Sequence, residues 1–198
     1  MIKFIDISAD EPYKVFNQKY NDAADKNQKN IEAVCISSFS KELHEVNARF
    51  VNLKILNDKD FIFFSNYNSP KSQDFRDHNQ ITALFYWNST NTQIRLKALI
   101  QKTSINFNRD YFLSRSEQKN ALAISSDQSR PIDSYESIKK NYNKSLELDN
   151  LKECPPYWGG FSFIPYYFEF WEGHSSRLNK RDIYKSDGDA WKHSILQP

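Results

Sequence analysis

The chain has 198 residues, of which 39% are hydrophobic and 15% aromatic, enough apolar material for one compact domain with a substantial core. Its 27 basic and 25 acidic residues leave a formal net charge of +2, which argues against a general nucleic-acid binder. No apolar run approaches the roughly 18 residues of a membrane helix, and residues 1–10 show no secretory signal, so we expect a cytoplasmic protein with no membrane partner.

The first predicted element is a helix, in an N-terminal segment that covers about residues 10–30. Asp10 is its expected cap and Pro12 lies in its first turn. The polar residues 22–30 are predicted to end the helix in a loop. Within the helix, three aromatic residues lie at helical spacing and are expected to face the core: Tyr13, Phe16 and Tyr20.

From residue 31 onward, short apolar runs alternate with turn residues, which is typical of an antiparallel meander. Strands are predicted at 33–39, 47–56, 61–65, 81–87 and 92–103. Helices are predicted at 69–78 (capped by Ser69), 106–114, 117–125 and 134–148. After a proline-rich linker, the C-terminal strands are predicted at 158–172 (broken at Pro165), 177–185 and 190–196.

These elements predict one domain spanning residues 1–198, mainly β with peripheral helices, in the α+β class. Residues 31–152 supply a closed or nearly closed antiparallel sheet with helices, and residues 157–198 supply the last strands.

Three polar side chains alternate in the strand predicted at 177–185: Arg177, Asn179 and Arg181. With a two-residue period all three face the same side, where two guanidiniums and an amide suit a bound anion or an electron-rich ring oxygen. A solvated outer face balanced by acidic residues explains the same spacing.

A second group, Tyr111, Arg115 and Lys119, repeats every four residues and shares one face if the helix continues. A hydroxyl, a guanidinium and an ammonium in one stripe suit a phosphate. A solvated helix face is again the alternative.

Further cations lie near the predicted strand at 47–56. Arg49 and Lys54 are five residues apart, so a regular strand turns them to opposite faces, where they serve different parts of a ligand. Lys71, near the start of a short helix, adds a cation where amide donors are free. The scattered histidines and cysteines have no metal-ligand spacing, so we expect no metal site.

Residues 169–181 (EFWEGHSSRLNKR) resemble the C-terminal signature of pyridoxamine 5′-phosphate oxidases, which is E-[aromatic]-W, five residues, then R-L-[H or N]-x-R. The preceding residues 157–161 resemble the WGG segment of that family. Six more segments resemble family motifs in the same order: 49–54 (RMVLLK), 64–66 (YTN), 69–71 (SRK), 93–95 (the RQV region), 111–115 (YFHSR) and 128–129 (QS). The resemblance covers about residues 10–198.

This resemblance implies an FMN-binding split β-barrel, and a homodimer that holds FMN at its interface. The residues at its FMN-contacting positions are Arg49, Phe50, Val51, Lys54, Phe64, Ser65, Lys71, Gln93, Gln128, Ser129, Trp171 and Arg181. Those at substrate positions are Lys54, Tyr111, Arg115, Lys119, Arg177 and Asn179, of which Arg177 and Asn179 are implied to be catalytic.

The implied reaction is oxidation of pyridoxamine or pyridoxine 5′-phosphate to pyridoxal 5′-phosphate. Hydride passes from substrate C4′ to flavin N5, and dioxygen then becomes hydrogen peroxide. Two alternatives stay open. One is an oxidase of the same fold with a bulkier substrate, as in phenazine biosynthesis. The other is a non-catalytic protein that carries FMN, pyridoxal phosphate or neither.

Four positions depart from the family pattern: Pro70 replaces the arginine of SRK, Lys119 a small hydroxyl residue, Lys180 an acidic or amide residue, and Asn52 an apolar residue. Pro70 removes a guanidinium from the implied site of the FMN phosphate. Because a charge-assisted contact contributes roughly 1.5–3 kcal/mol, we expect this loss to weaken FMN binding about 10- to 100-fold unless another cation compensates.

Overall fold

The computed structural model describes all residues, Met1–Pro198. Its strands are β1 (Lys3–Ile5), β2 (Ala33–Ser40), β3 (Glu45–Asn57), β4 (Asp60–Asn66), β5 (Gln80–Trp87), β6 (Thr92–Lys102), β7 (Trp158–Glu172), β8 (Lys180–Asp187) and β9 (Ala190–Ile195). Its helices are α1 (Glu11–Asp25), α2 (Pro70–Asp77), α3 (Ile105–Leu113), α4 (Glu117–Ser125) and α5 (Tyr135–Leu148). The predicted mainly β architecture with peripheral helices is confirmed. None of the five helices has the length and apolar character needed to cross a lipid bilayer.

Six strands close into a barrel, because the pairing path β3–β2–β5–β6–β7–β4 returns to β3. All of these pairings are antiparallel. Closure depends on the long strand β7, which pairs with β4 over residues 158–163 and with β8 over residues 167–172. The β8–β9 hairpin therefore extends the sheet beyond the barrel.

The barrel interior is filled by aromatic rings on alternate positions of the strands. Phe61 and Phe163 are fully buried and stack with their ring centroids 5.3 Å apart. Helix α1 packs against them through the predicted aromatic face, where Phe16 meets the Phe61 ring edge-on at 5.0 Å. The prediction that Tyr13, Phe16 and Tyr20 face the core is therefore confirmed.

Three local predictions need correction. Helix α1 continues through residues 22–25, because Ala23 on this polar turn is fully buried against the core. The three-residue strand β1 was not predicted, since its only strand pairing is a short parallel contact with β3. Pro165 does not break β7: it pairs with Ala98 of β6 beside a register shift, between the residues that pair with β4 and those that pair with β8, and a strand tolerates proline at such an irregularity.

The start of β8 is the correction that matters most for the site. This strand begins at Lys180, so Arg177 and Asn179 precede it, and the prediction that both share a strand face with Arg181 is wrong. Arg177 has φ +61° in a turn closed by its N–H donating to the His174 carbonyl at 2.9 Å. The Asn179 side-chain oxygen accepts from the His174 N–H at 3.0 Å. These local bonds compete with strand pairing.

Strand β3 carries a β-bulge at Lys54. Leu53 pairs with Phe63, and Ile55 pairs with Ile62, so Lys54 is the extra residue of the strand. A bulge shifts the alternation of side chains from that point on. The bulge lies at Lys54 itself and the register with β2 is unbroken from Arg49 to Asn52, so the prediction that Arg49 and Lys54 serve different parts of a ligand stays a prediction.

Candidate functional site

A cavity of about 500 Å³ opens between β3, β4, the start of α2, the α3–α4 corner and the segment after α4. Twelve of the seventeen predicted site residues line this cavity: Arg49, Phe50, Val51, Lys54, Phe64, Ser65, Lys71, Tyr111, Arg115, Lys119, Gln128 and Ser129. Asn52 and Trp158 also line it and were not among the predicted site residues. The WGG segment and the position of Asn52 on β3 were the sequence signals for them.

The cavity wall is strongly basic, since its lining includes five cationic side chains and no carboxylate. On one side, the Arg49 guanidinium is oriented from behind by the Ser38 hydroxyl at 2.7 Å and by the buried Asp74 carboxylate at 3.5 Å. Burial lowers the pKa of Arg49, although Asp74 opposes the shift. An anion in the cavity would supply the charge that the wall lacks.

Lys71 forms the floor of the cavity and is only 7% exposed. Its ammonium donates to the Ser65 hydroxyl at 3.1 Å and to the Ser69 hydroxyl at 3.2 Å. Burial, together with the nearby Arg49 charge, lowers the pKa of Lys71 to about 8. The side chain is therefore a desolvated cation held by neutral oxygens, which an incoming anion would stabilise.

Another part of the cavity wall is an aromatic stack that carries a guanidinium. The Tyr111 ring lies flat on Phe64 with centroids 3.7 Å apart, and Phe64 stacks in turn on Trp158 at 5.2 Å. The Arg115 guanidinium lies 4.4 Å from the centre of the Trp158 ring. One of its nitrogens, Nη1, is buried without a hydrogen-bond partner, which is unusual for a charged donor.

Tyr111, Arg115 and Lys119 do not share one helix face, because α3 ends at Leu113 and α4 begins at Glu117. The corner between the helices nonetheless brings all three to the cavity, and Arg115 donates to the Lys119 carbonyl at 2.9 Å. Burial raises the pKa of Tyr111, with Arg115 opposing the shift, so its hydroxyl remains a donor at neutral pH.

The segment after α4 completes the wall from a distant part of the sequence. The Gln128 side-chain oxygen accepts from the Ser65 hydroxyl at 3.0 Å and from the Asn66 N–H at 3.1 Å. Ser129, which follows in the left-handed region at φ +67°, also lines the cavity. Gln128 thus ties this segment to the end of β4.

The remaining five predicted site residues do not line this cavity. Gln93, Trp171 and Arg181 form a row at paired positions on β6, β7 and β8. Arg177 and Asn179 lie in the turn before β8, where Arg177 is exposed. Within one chain, the predicted site residues therefore fall into two groups, the basic cavity and this C-terminal group.

The C-terminal group is organised by Glu169, which sequence reasoning did not single out although it opens the EFW signature. Its carboxylate is 2% exposed and accepts from Arg181 at 2.7 and 2.9 Å, from the Tyr167 hydroxyl at 2.9 Å, and from Arg95. Burial raises the pKa of Glu169, but the bonds from Arg181, Tyr167 and Arg95 outweigh it and leave the pKa below its usual value. Glu169 therefore pairs with the guanidiniums of Arg95 and Arg181 at once, and the three side chains together keep one positive charge.

Comparison with known proteins agrees with this geometry. Residues 158–198 match the model of the pyridoxine 5′-phosphate oxidase C-terminal dimerisation region. Pyridoxine/pyridoxamine 5′-phosphate oxidase 1 of Hydrogenovibrio crunogenus is 32% identical over 192 residues, which is 95% of this chain and 88% of that protein. The pyridoxine/pyridoxamine 5′-phosphate oxidase of Christiangramia forsetii is 35% identical over 195 residues, or 96% and 89% of the two chains.

Solved structures agree on the fold. PhzG of Burkholderia lata, solved with tetrahydrophenazine-1-carboxylic acid, superposes with a TM-score of 0.89 at 24% identity, covering 95% of this chain and 93% of that one. A pyridoxamine 5′-phosphate oxidase-related FMN-binding protein of Nostoc punctiforme gives a TM-score of 0.75 at 12% identity, covering 92% and 97%. The expected FMN-binding split-barrel fold is thereby confirmed. From the identity and coverage of its curated relatives, the chain belongs to the pyridoxine/pyridoxamine 5′-phosphate oxidase family.

Proposed function

We propose that this protein is an FMN-dependent oxidase that converts pyridoxamine or pyridoxine 5′-phosphate to pyridoxal 5′-phosphate, with dioxygen as the oxidant and hydrogen peroxide as the second product. The observation that carries the proposal is the basic cavity, whose lining has five cations, no carboxylate and an aromatic stack. Both FMN and the B6 vitamers pair a phosphate ester with a flat heteroaromatic ring, which this wall chemistry suits.

The residues of the cavity fit FMN on their own chemistry. The volume of about 500 Å³ lies within the usual range for small-molecule sites. Lys71 and Arg49 would hold the phosphate, because one is desolvated without an anionic partner and the other is already oriented by Asp74. Gln128, held by Ser65, and Ser129 would bind the flavin from the segment after α4.

The substrate phosphate would bind at the α3–α4 corner. The Arg115 guanidinium, the Tyr111 hydroxyl and the Lys119 ammonium, which all line the cavity there, would supply the donors. Lys54 lines the same cavity and would lie between the two phosphate positions that we propose. Two phosphates in one basic cavity explain why so many cations meet there without acids.

We propose a homodimer in which the C-terminal group of one subunit completes the cavity of its partner. The match of residues 158–198 to a dimerisation region supports this, as does the separation of the two groups within one chain. Bound FMN would supply hydride acceptance and reaction with dioxygen. Arg181 would place positive charge beside the ring, and Arg177 and Asn179 would orient the substrate.

Two measurements test the function. FMN titrated into the purified protein should bind and change its visible spectrum, and pyridoxamine 5′-phosphate should then release hydrogen peroxide. Arg177→Ala should keep the bound flavin but lose most of the turnover. Flavin binding without peroxide release from either B6 phosphate would favour a different substrate, such as a phenazine-type carboxylate. Failure to bind FMN would overturn the proposal.

A further inference from the structure

A second, smaller cavity lies on the other side of the start of α2. It has a volume of about 300 Å³, and Ser69, Pro70 and Arg130 are among its lining residues. The neighbours of the last two, Lys71 and Ser129, line the main cavity. The two cavities therefore adjoin at residues 70–71 and 129–130, and Arg130 lies one residue from the main cavity.

The backbone that carries Arg130 is held in place. Asn66 at the end of β4 donates its side-chain amide to the Ser126 carbonyl at 3.3 Å and its N–H to Gln128 at 3.1 Å. The Arg130 N–H closes a turn onto the Asp127 carbonyl at 3.1 Å. The position of Arg130 next to α2 is thus fixed by the fold, while its side chain remains exposed.

The Arg130 guanidinium is also available. Two carboxylates line the small cavity, from Glu42 and Asp74. Asp74 is buried and already bound by Arg49 at 3.5 Å and by the Ser38 hydroxyl at 2.7 Å, while Glu42 is exposed to solvent. None of the ion pairs of the chain involves Arg130, so it can turn towards an anion without breaking one.

An anion at the start of α2 lacks a free guanidinium from α2 itself. Pro70 offers neither a charge nor a backbone N–H. The Arg49 guanidinium already donates hydrogen bonds to the Ile36 carbonyl, the Ser38 hydroxyl and the Asp74 carboxylate. The guanidinium fork is the side chain best suited to grip a phosphate through two parallel hydrogen bonds, and here only Arg130 has that fork free.

We propose that Arg130 grips the phosphate of the flavin from the α2 side and takes the role that a cationic residue at position 70 would have. The inference rests on the proposed function, because it assumes that FMN binds in the main cavity. It assigns phosphate recognition to a residue on the loop after α4, beyond the motifs that carried the family resemblance.

The test compares two flavins that differ only in the phosphate. FMN and riboflavin are titrated into the wild type and Arg130→Ala, and binding is followed by flavin fluorescence. We expect Arg130→Ala to weaken FMN binding about 10- to 100-fold, the usual contribution of a charge-assisted contact, and to leave riboflavin binding unchanged. The control is Arg76→Ala, which removes an exposed arginine from the far end of α2, where it pairs with Asp77.

Two further variants check the assignment. Arg130→Lys should fall between the wild type and Arg130→Ala, because it keeps the charge but loses the fork. Pro70→Arg in the Arg130→Ala background should recover FMN affinity. Unchanged FMN affinity in Arg130→Ala would reject the inference alone, as would an equal loss for riboflavin, which would indicate a structural role. A wild type that binds neither flavin would overturn the proposed function, and this inference with it.

Discussion

The basic cavity and the C-terminal group both contain several arginines, but they differ in whether a carboxylate of the chain pairs with them. In the cavity, five cations share a wall without a carboxylate, and Arg115 keeps a buried nitrogen unsatisfied. In the C-terminal group, one buried carboxylate, Glu169, binds both Arg95 and Arg181. The cavity therefore has no anion of its own, whereas the C-terminal group contains a carboxylate that two guanidiniums share, although the Arg95 Nε is also buried without a partner.

This difference indicates which region binds and which orients. Cations without partners cost stability when desolvated, so they persist where a ligand supplies the opposite charge. A guanidinium paired with a carboxylate has lost most of its net charge but has gained a fixed direction. Substitutions should therefore affect ligand affinity in the cavity and folding stability in the C-terminal group.

The largest effect expected is on stability. Glu169→Ala leaves the Arg95 and Arg181 guanidiniums without their shared acceptor, and breaking a buried pair costs 3–5 kcal/mol. Since both arginine side chains are partly exposed, at 39% and 26%, water relieves some of this cost and we expect a loss of about 3 kcal/mol in the free energy of unfolding. Urea unfolding measures it. Glu172→Ala, which removes a more exposed acid of β7, is the control and should cost less.

Removing a cavity cation should lower ligand affinity strongly and change the free energy of unfolding little. Arg115→Ala should weaken binding of pyridoxal 5′-phosphate about 10- to 100-fold. Its free energy of unfolding should change by no more than about 1 kcal/mol, since the lost cation–π contact is offset by relief from desolvation. Arg109→Ala on the exposed side of α3 is the matched control. A large stability loss with unchanged affinity would reverse the roles of the two regions.

The pH dependence of FMN affinity tests whether the cavity cations bind the ligand through their charge. The pKa of Lys71 is lowered from its usual value of 10.5 to about 8, so the ammonium loses its proton above that pH in the ligand-free protein. Because a phosphate binds the charged form, FMN affinity should be constant between pH 7 and about 8 and then fall, by up to tenfold per pH unit. Titrations from pH 7 to 9 measure it. Lys71→Arg should remove the decline, since arginine stays charged.

The smallest effect concerns the aromatic wall. Phe64→Leu removes the ring between Tyr111 and Trp158, and we expect it to cost about 1 kcal/mol of stability from lost stacking. Thermal unfolding monitored by tryptophan fluorescence measures this change. FMN should still bind through its phosphate. A loss of FMN affinity as large as the loss of pyridoxal 5′-phosphate affinity expected for Arg115→Ala would show that the aromatic wall contributes as much to binding as a cavity cation.

Much of the fold followed from the sequence, because its signals are local. Aromatic spacing identified the buried face of α1, and turn residues separated the strands that form the barrel. The ordered motifs that precede the signature at residues 169–181 predicted eleven of the side chains that line the cavity, and the four-residue spacing after Arg115 added Lys119. Such patterns act over a few residues, so they can be read without knowing which strands pair.

Only the tertiary structure decided which of those side chains meet. The bulge that makes Lys54 the extra residue of β3 depends on the pairing of β3 with β4, which local spacing does not reveal. The turn at Arg177 and the delayed start of β8 reflect hydrogen bonds to His174 that compete with strand pairing. Charge compensation by Glu169 and the position of Arg130 beside α2 likewise join residues far apart in sequence, because long-range packing, and not local propensity, sets them.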